Sequence, residues 1–432
     1  MDDSRPAPRR RSRPPRIPFL SLHPAERVRG LAILEENPDH GPLLWESYRN
    51  VGDWAFTPRS GRCGLFGPAA AERRTGQIAC AKRLDDGARS ALEAIRDMVA
   101  RPGGVRERTV ALACRRLSAW AGERGRPETQ FYFAAAAGAC LPSDARQAYD
   151  AGRMARDMAR WDTAEVWLEH AVAAAKRGRD RETQTLAVLG LGNLFYQQGF
   201  YRKARDTHLG ALSLACKYRL REHRGRALHD LFVTAVELRD AAAAEGYARE
   251  ALEAYGPAHP LVPALAHDVA YFWLAEGAYW RALPVLQAVL PHVRQRPDSR
   301  VRVLANAAHA AGGLGNYAIF SELAQEVSQS AHDPATRAGI ATALVETAVG
   351  AFLLGRMGRA RELLDGALKV ADERGESDVI ARVVTIRHRF ALRPPRVGGG
   401  GETGAGEPGE FADRIVHCLR TRESCAALLP LG

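Results

Sequence analysis

Two dipeptides in this chain carry the residue types from which metal and proton-transfer sites are built: His229-Asp230 and His267-Asp268. Imidazole beside carboxylate can bind zinc or pass a proton. Adjacent residues on a helix project about 100° apart, so neither pair can easily chelate one ion alone. Equivalent points on neighbouring packed helices lie roughly 10 Å apart, too far for both histidines to reach one zinc at about 2 Å. The expectation is no metal, with each aspartate bonded to a neighbouring helix and each histidine facing a groove. No Gly-rich phosphate loop, G-x-S-x-G elbow or H-E-x-x-H occurs; GGLG (312–315) ends a helix pattern and GGGG (398–401) is linker. Seven cysteines, at 63, 80, 114, 140, 216, 418 and 425, are scattered without a C-x-x-C pair. They read as small core residues, reduced in a cytosol. No catalytic residue and no cofactor is expected.

The elements that would position these side chains recur. With a small residue of each second helix as anchor, the series is Ala164, Ala204, Ala244, Ala282, Phe320 and Ala360, stepping by 40, 40, 38, 38 and 40 residues. Gly199, Gly277, Gly315 and Gly355 stand five residues before their anchors, where a helix that ends needs φ > 0. Trp161, Tyr201, Tyr279, Tyr317 and Met357 stand three before, to fill the space between successive hairpins. Ala171, Ala211, Ala251, Val289, Val327 and Ala367 stand seven after. The third unit departs, with Arg239 and Ala241 in place of glycine and aromatic, and the fifth has Phe320 as its anchor.

This alternation resembles the tetratricopeptide repeat (TPR) superfamily, most clearly at LGNLFYQQGFYRKARDTHLGAL (191–212) and VAYFWLAEGAYWRALPVLQAVL (269–290). The resemblance covers about half of the chain, to a bacterial-type multi-repeat protein whose 38–40-residue units exceed the usual ~34. It implies an all-α fold: a right-handed α-solenoid of TPR-like hairpins with an irregular N-terminal helical cap, each hairpin completing its core on the next.

Length and composition agree with that class. The 432 residues are 46% hydrophobic, ample for an ordered core. There is no run of 18 uncharged apolar residues and no signal-peptide core in the first 20, so the expected location is cytoplasmic. The net charge of +11 is carried almost wholly by arginine, a sign of coding bias more than of selection for phosphate contacts.

Along the chain, the expected organisation is a disordered Arg/Pro tail (1–18), a helical cap (19–143) that includes one degenerate hairpin, six hairpins (144–392), a Gly-rich linker (393–410) and a short tail or helix (411–432). Cap helices are expected at 24–36, 42–55, 69–82, 87–100, 105–124 and 127–140, with 57–68 a loop. The apolar stripe of the first helices, such as Leu191, Gly192 and Phe195 or Val269, Ala270 and Trp273, is packing.

The complementary stripe lines the concave face in arrays of the resembled family. Here it supplies Arg146, Tyr149, Arg153, Arg156, Asn193, Tyr196, Arg226, His229, His267, Tyr271, Arg302 and His309; it contains no carboxylate, is basic at its N-terminal end, mixes histidine, asparagine and tyrosine in its middle and is apolar at its C-terminal end. Such a groove suits a protein or peptide segment that is acidic at one end and apolar at the other. The family's carboxylate clamp for chaperone tails is not formed, since its slots hold Tyr149, Arg153, Gly190, Arg226 and Asp230, or Leu189, Asn193, Asp230, Ala264 and Asp268 one unit later. The expected function is a non-catalytic interaction scaffold or adaptor. Alternatives are a peptide-sensing regulator, and a nucleic-acid-associated protein using the Arg tail; no membrane partner is expected.

Overall fold

The computed structural model describes residues 30–392, except 83, 334 and 337, together with 409–427. Among these residues every regular element is helical. The expected tail at 1–18 and nearly all of the expected linker lie outside the described residues. The chain forms two compact units, divided between His223 and Arg224.

The first unit opens with α1 (Gly30–Glu36), α2 (Gly41–Phe56), α3 (Pro68–Cys80), α4 (Asp86–Ala100), α5 (Glu107–Glu123) and α6 (Pro127–Cys140). Proline opens α3 and α6, where no backbone N–H is required. The Asp85 side chain caps α4 by accepting from Ala88 N at 2.8 Å. Glu36, at the end of α1, accepts from Glu128 N and Thr129 N at 2.9 and 2.8 Å and so caps α6 across the fold. The segment at 57–68 is not a plain loop: Arg59–Gly64 winds into a 3₁₀ turn. Arg62 stacks on Trp54 there and, with Arg59, grips Glu107, whose carboxyl is held down to about 2.

Hairpins follow: α7 (Ala145–Asp157) with α8 (Trp161–Gly178), and α9 (Arg181–Gln197) with α10 (Tyr201–Lys217). One apolar core runs from Ile33 to Leu194 through Tyr48, Trp54, Phe133 and Trp167, so the N-terminal helices share their interior with the first hairpins. Within it Cys114 and Cys140 are buried and hydrogen-bonded to one another, which with burial drives the Cys114 thiol pKa well up. Cys63, Cys80 and Cys216 are exposed, against the expectation that all are core residues.

Beginning in α11 (Arg221–Glu237), which straddles the division, the second unit continues with α12 (Ala241–Tyr255), α13 (Val262–Ala275), α14 (Tyr279–Val289), α15 (Pro297–Gly313), α16 (Tyr317–Ala331), α17 (Ile340–Leu353), α18 (Met357–Arg374), α19 (Ser377–Leu392) and α20 (Glu410–Ala427). All six anchors are buried, as are the six residues seven positions after them. Gly199, Gly277, Gly315 and Gly355 have φ of 71–80°, and Ala159 and Arg239 adopt the same left-handed turn at φ 54° and 61°. Large residues meet small ones between hairpins: a Cβ on Gly313 would overlap the Tyr279 ring, and one on Gly350 would stand 2.7 Å from the Ala308 carbonyl oxygen. There α15 and α17 approach backbone to backbone.

The C-terminal helix α20 packs on α13 and α14. Phe411, Ala412, Ile415 and Leu419 are buried; the Phe411 ring stands edge-on to Trp273 at 5.9 Å and beneath Arg249 at 4.5 Å. His292 donates to the Leu419 carbonyl at 3.1 Å, and Arg422 donates to the Ala258 carbonyl.

Candidate functional site

The first helices of the second unit bring together a chain of polar side chains that links successive hairpins. His229 on α11 donates through Nε2 to Asp268 Oδ2 on α13 at 3.0 Å. His267 donates through Nδ1 to Asp268 Oδ1 at 3.2 Å, and its Nε2 accepts from Asn306 on α15 at 3.0 Å. Both ring nitrogens of His267 are thus engaged, which fixes the orientation of the ring. Desolvation pushes the Asp268 carboxyl up, but hydrogen bonds from His229 and His267 outweigh it and hold it well below the usual range. Asp268 therefore holds both histidines and ties α11 to α13.

Further along, His309 on α15 donates through Nδ1 to Glu346 Oε2 on α17 at 2.9 Å, and Arg382 on α19 pairs with Glu346 Oε1. Glu346 is 4% exposed; burial raises its carboxyl, yet the bond from His309 and the charge of Arg382 bring it down to about 2. The Tyr271 hydroxyl interacts with both Arg382 and Glu346, while its side chain stays 43% exposed. Of the aromatic run at 271–273, Phe272 and Trp273 are core and Tyr271 is not.

Two cavities flank this chain. One of about 190 Å³ is lined by His267, Tyr271, Arg302, Asn306 and Glu346. The other, about 440 Å³, lies where the start of α13, the start of α15 and the end of α20 converge. Arg302 borders both and donates through Nε to the Asp298 carbonyl at 3.2 Å.

In the first unit the expected basic patch is largely neutralised on its own helix. Arg146 faces Asp150 at 3.4 Å and Tyr149 at 5.5 Å, while Arg153 and Arg156 both reach Asp157, at 3.1 and 2.9 Å. Asp150 and Asp157 thus offset part of the charge of that end. Asn193 is half-buried on α9, Tyr196 packs on Tyr201 at 5.5 Å, and Arg226 is half-buried on α11.

Asp268, Asn306, Glu346 and Arg382 were missed by the stripe. Three of them share one register, fourteen residues before their anchors, and Asp150 and Asp230 occupy the same place. A polar residue there in five units of six was the available signal. Among the described residues no group of three or more His, Cys, Asp or Glu side chains could hold a metal ion. Nor is any described helix long and apolar enough to cross a membrane.

No protein family matches the chain, and no curated protein does. Among solved structures it is similar to BtubC (BKLC) from P. vanneervenii, at 18% identity over 60% of this chain and 91% of that one, with a TM-score of 0.39. It is also similar to a Rap protein complexed with competence and sporulation factor, at 10% identity over 82% of this chain and 99% of that one, with a TM-score of 0.43. The hairpins of this chain establish its fold by themselves: small buried anchors, left-handed turns and interlocked first helices make it an all-α solenoid of TPR-like helical repeats.

Proposed function

We propose that the protein is a non-catalytic interaction protein that holds a peptide or protein segment along the first-helix face of its second unit. The observation that carries this reading is Tyr271, an aromatic side chain left 43% exposed in the middle of a half-buried chain of mutually bonded polar groups. Internal bonds hold His229, His267, Asn306 and His309 in place, so the face is rigid before any ligand arrives. A rigid face with one exposed aromatic and an adjoining cavity is how short segments are anchored. Arg302 offers a charge for an acidic residue of the segment. Arg226 belongs to the same unit, and on the first unit Arg146, Tyr149, Arg153, Arg156, Asn193 and Tyr196 form a separate proposed face, with part of its charge answered by Asp150 and Asp157.

In this reading the chain is a bacterial-type TPR protein of 38–40-residue units, supported by second helices that begin at Trp161, Tyr201, Ala241, Tyr279, Tyr317 and Met357. The partner carries acidic and apolar residues, and the setting is cytoplasmic. Affinity capture followed by polarisation titration of the captured segment tests it. Tyr271→Ala and Arg302→Glu should each weaken binding about tenfold, a loss of ~1.4 kcal/mol. Binding unchanged in both variants would remove the proposal.

A further inference from the structure

We propose that the 440 Å³ cavity bounded by α13, α15 and α20 is a binding site for a small organic oxyanion, a phosphate or carboxylate head on a short apolar body. Three arginines from three elements converge on it: Arg296 before α15, Arg302 within α15, and Arg422 on α20. Among the described residues neither Arg296 nor Arg302 pairs with a carboxylate. The one carboxylate in the lining, Asp268, already accepts at both oxygens from His229 and His267. Both of its oxygens are thus engaged within the protein, whereas Arg296 and Arg302 have no carboxylate partner among the described residues.

Two further features favour an anion. The cavity opens onto the first turns of two helices, α13 of 14 residues and α15 of 17, whose dipoles turn a positive end towards it. Guanidinium forks match phosphate and carboxylate oxygens two at a time. The lining also includes the apolar side chains of Leu261, Val289, Val293 and Val303, which calls for a ligand with a hydrocarbon or ring body as well as a charged head. The volume suits a small molecule rather than a folded partner.

Because Arg422 belongs to α20, a bound oxyanion would bridge the repeat to the C-terminal helix and hold that helix down. This goes beyond segment binding at Tyr271 and does not require it, although His267 and Arg302 border both places. Calorimetric titration of the full chain with phenyl phosphate, inorganic phosphate and benzoate tests the site. We expect one saturable site for at least one of the two aryl anions, weaker binding of inorganic phosphate, and a loss of at least tenfold in Arg296→Ala/Arg302→Ala. Preference for phenyl phosphate or for benzoate identifies the head group, and either supports the site. Arg422→Ala should lose several-fold in affinity with helical circular dichroism unchanged, and hydrogen exchange in 409–427 should slow when ligand is present. No saturation by any of the three anions overturns the proposal, as does equal affinity in the double-arginine variant.

Discussion

Glu346 is the residue on which His309, Arg382 and Tyr271 converge, and its carboxyl is held down to about 2 from an ordinary 4.5. The folded state holds the ionised form more tightly than the unfolded chain does. The resulting stabilisation is complete above pH 4.5 and is lost as pH falls from 4.5 towards 2. Replacing Glu346 by Gln leaves Arg382 and His309 without their buried counter-charge. We expect about 3 kcal/mol of destabilisation at neutral pH, and a flatter dependence of stability on pH across that acid window, read by urea unfolding at several pH values. Asp268→Asn should act in the same direction and also free the rotamers of His229 and His267, visible as broadened imidazole NMR signals. The histidines of this chain were legible in the sequence because they fall on the stripe. Their carboxylate partners were not, since fourteen residues before an anchor is one step round the helix from the stripe.

Helix ends follow a simple local rule, and here the sequence was read well. Glycine five residues before the anchor marked the left-handed turn, and the turn persists in the third unit, where Arg239 holds φ at 61°. A side chain in that conformation costs about 1 kcal/mol relative to glycine. Arg239→Gly should therefore stabilise the protein by roughly that amount, measured as a higher urea midpoint at unchanged slope. The reverse holds at Gly350, which lies against the Ala308 carbonyl. Gly350→Ala would force α15 and α17 apart and should cost about 2 kcal/mol. That close approach could not be anticipated from spacing alone, because glycine within a helix is also compatible with an open surface, as at Gly210 and Gly246. The 3₁₀ turn at Arg59–Gly64 was hidden for a related reason: it is held by Arg62 and Glu107, partners 45 residues apart.

For the molecule as a whole, the division into two compact units and the docking of α20 are what the sequence concealed most. A short helix there was among the expectations, but its surface of attachment was not, because Phe411, Ile415 and Leu419 complement Trp273 and α14 only once the hairpins have formed. Leu419→Asp should release α20. It would expose that apolar face and lower the stability of the second unit by about 3 kcal/mol, with fast hydrogen exchange in 410–427 and in α14 and none added in α2–α6.

The sealed thiol pair also makes the protein its own stopwatch. A small alkylating reagent should modify Cys63, Cys80 and Cys216 within its ordinary reaction time, whereas Cys114 and Cys140 must wait for the interior around Trp54 and Trp167 to breathe. Cys418, half-shielded on α20, ticks with the lifting of that helix instead. Mass spectrometry of one labelling course would thus time the opening of each half of the chain without any added probe.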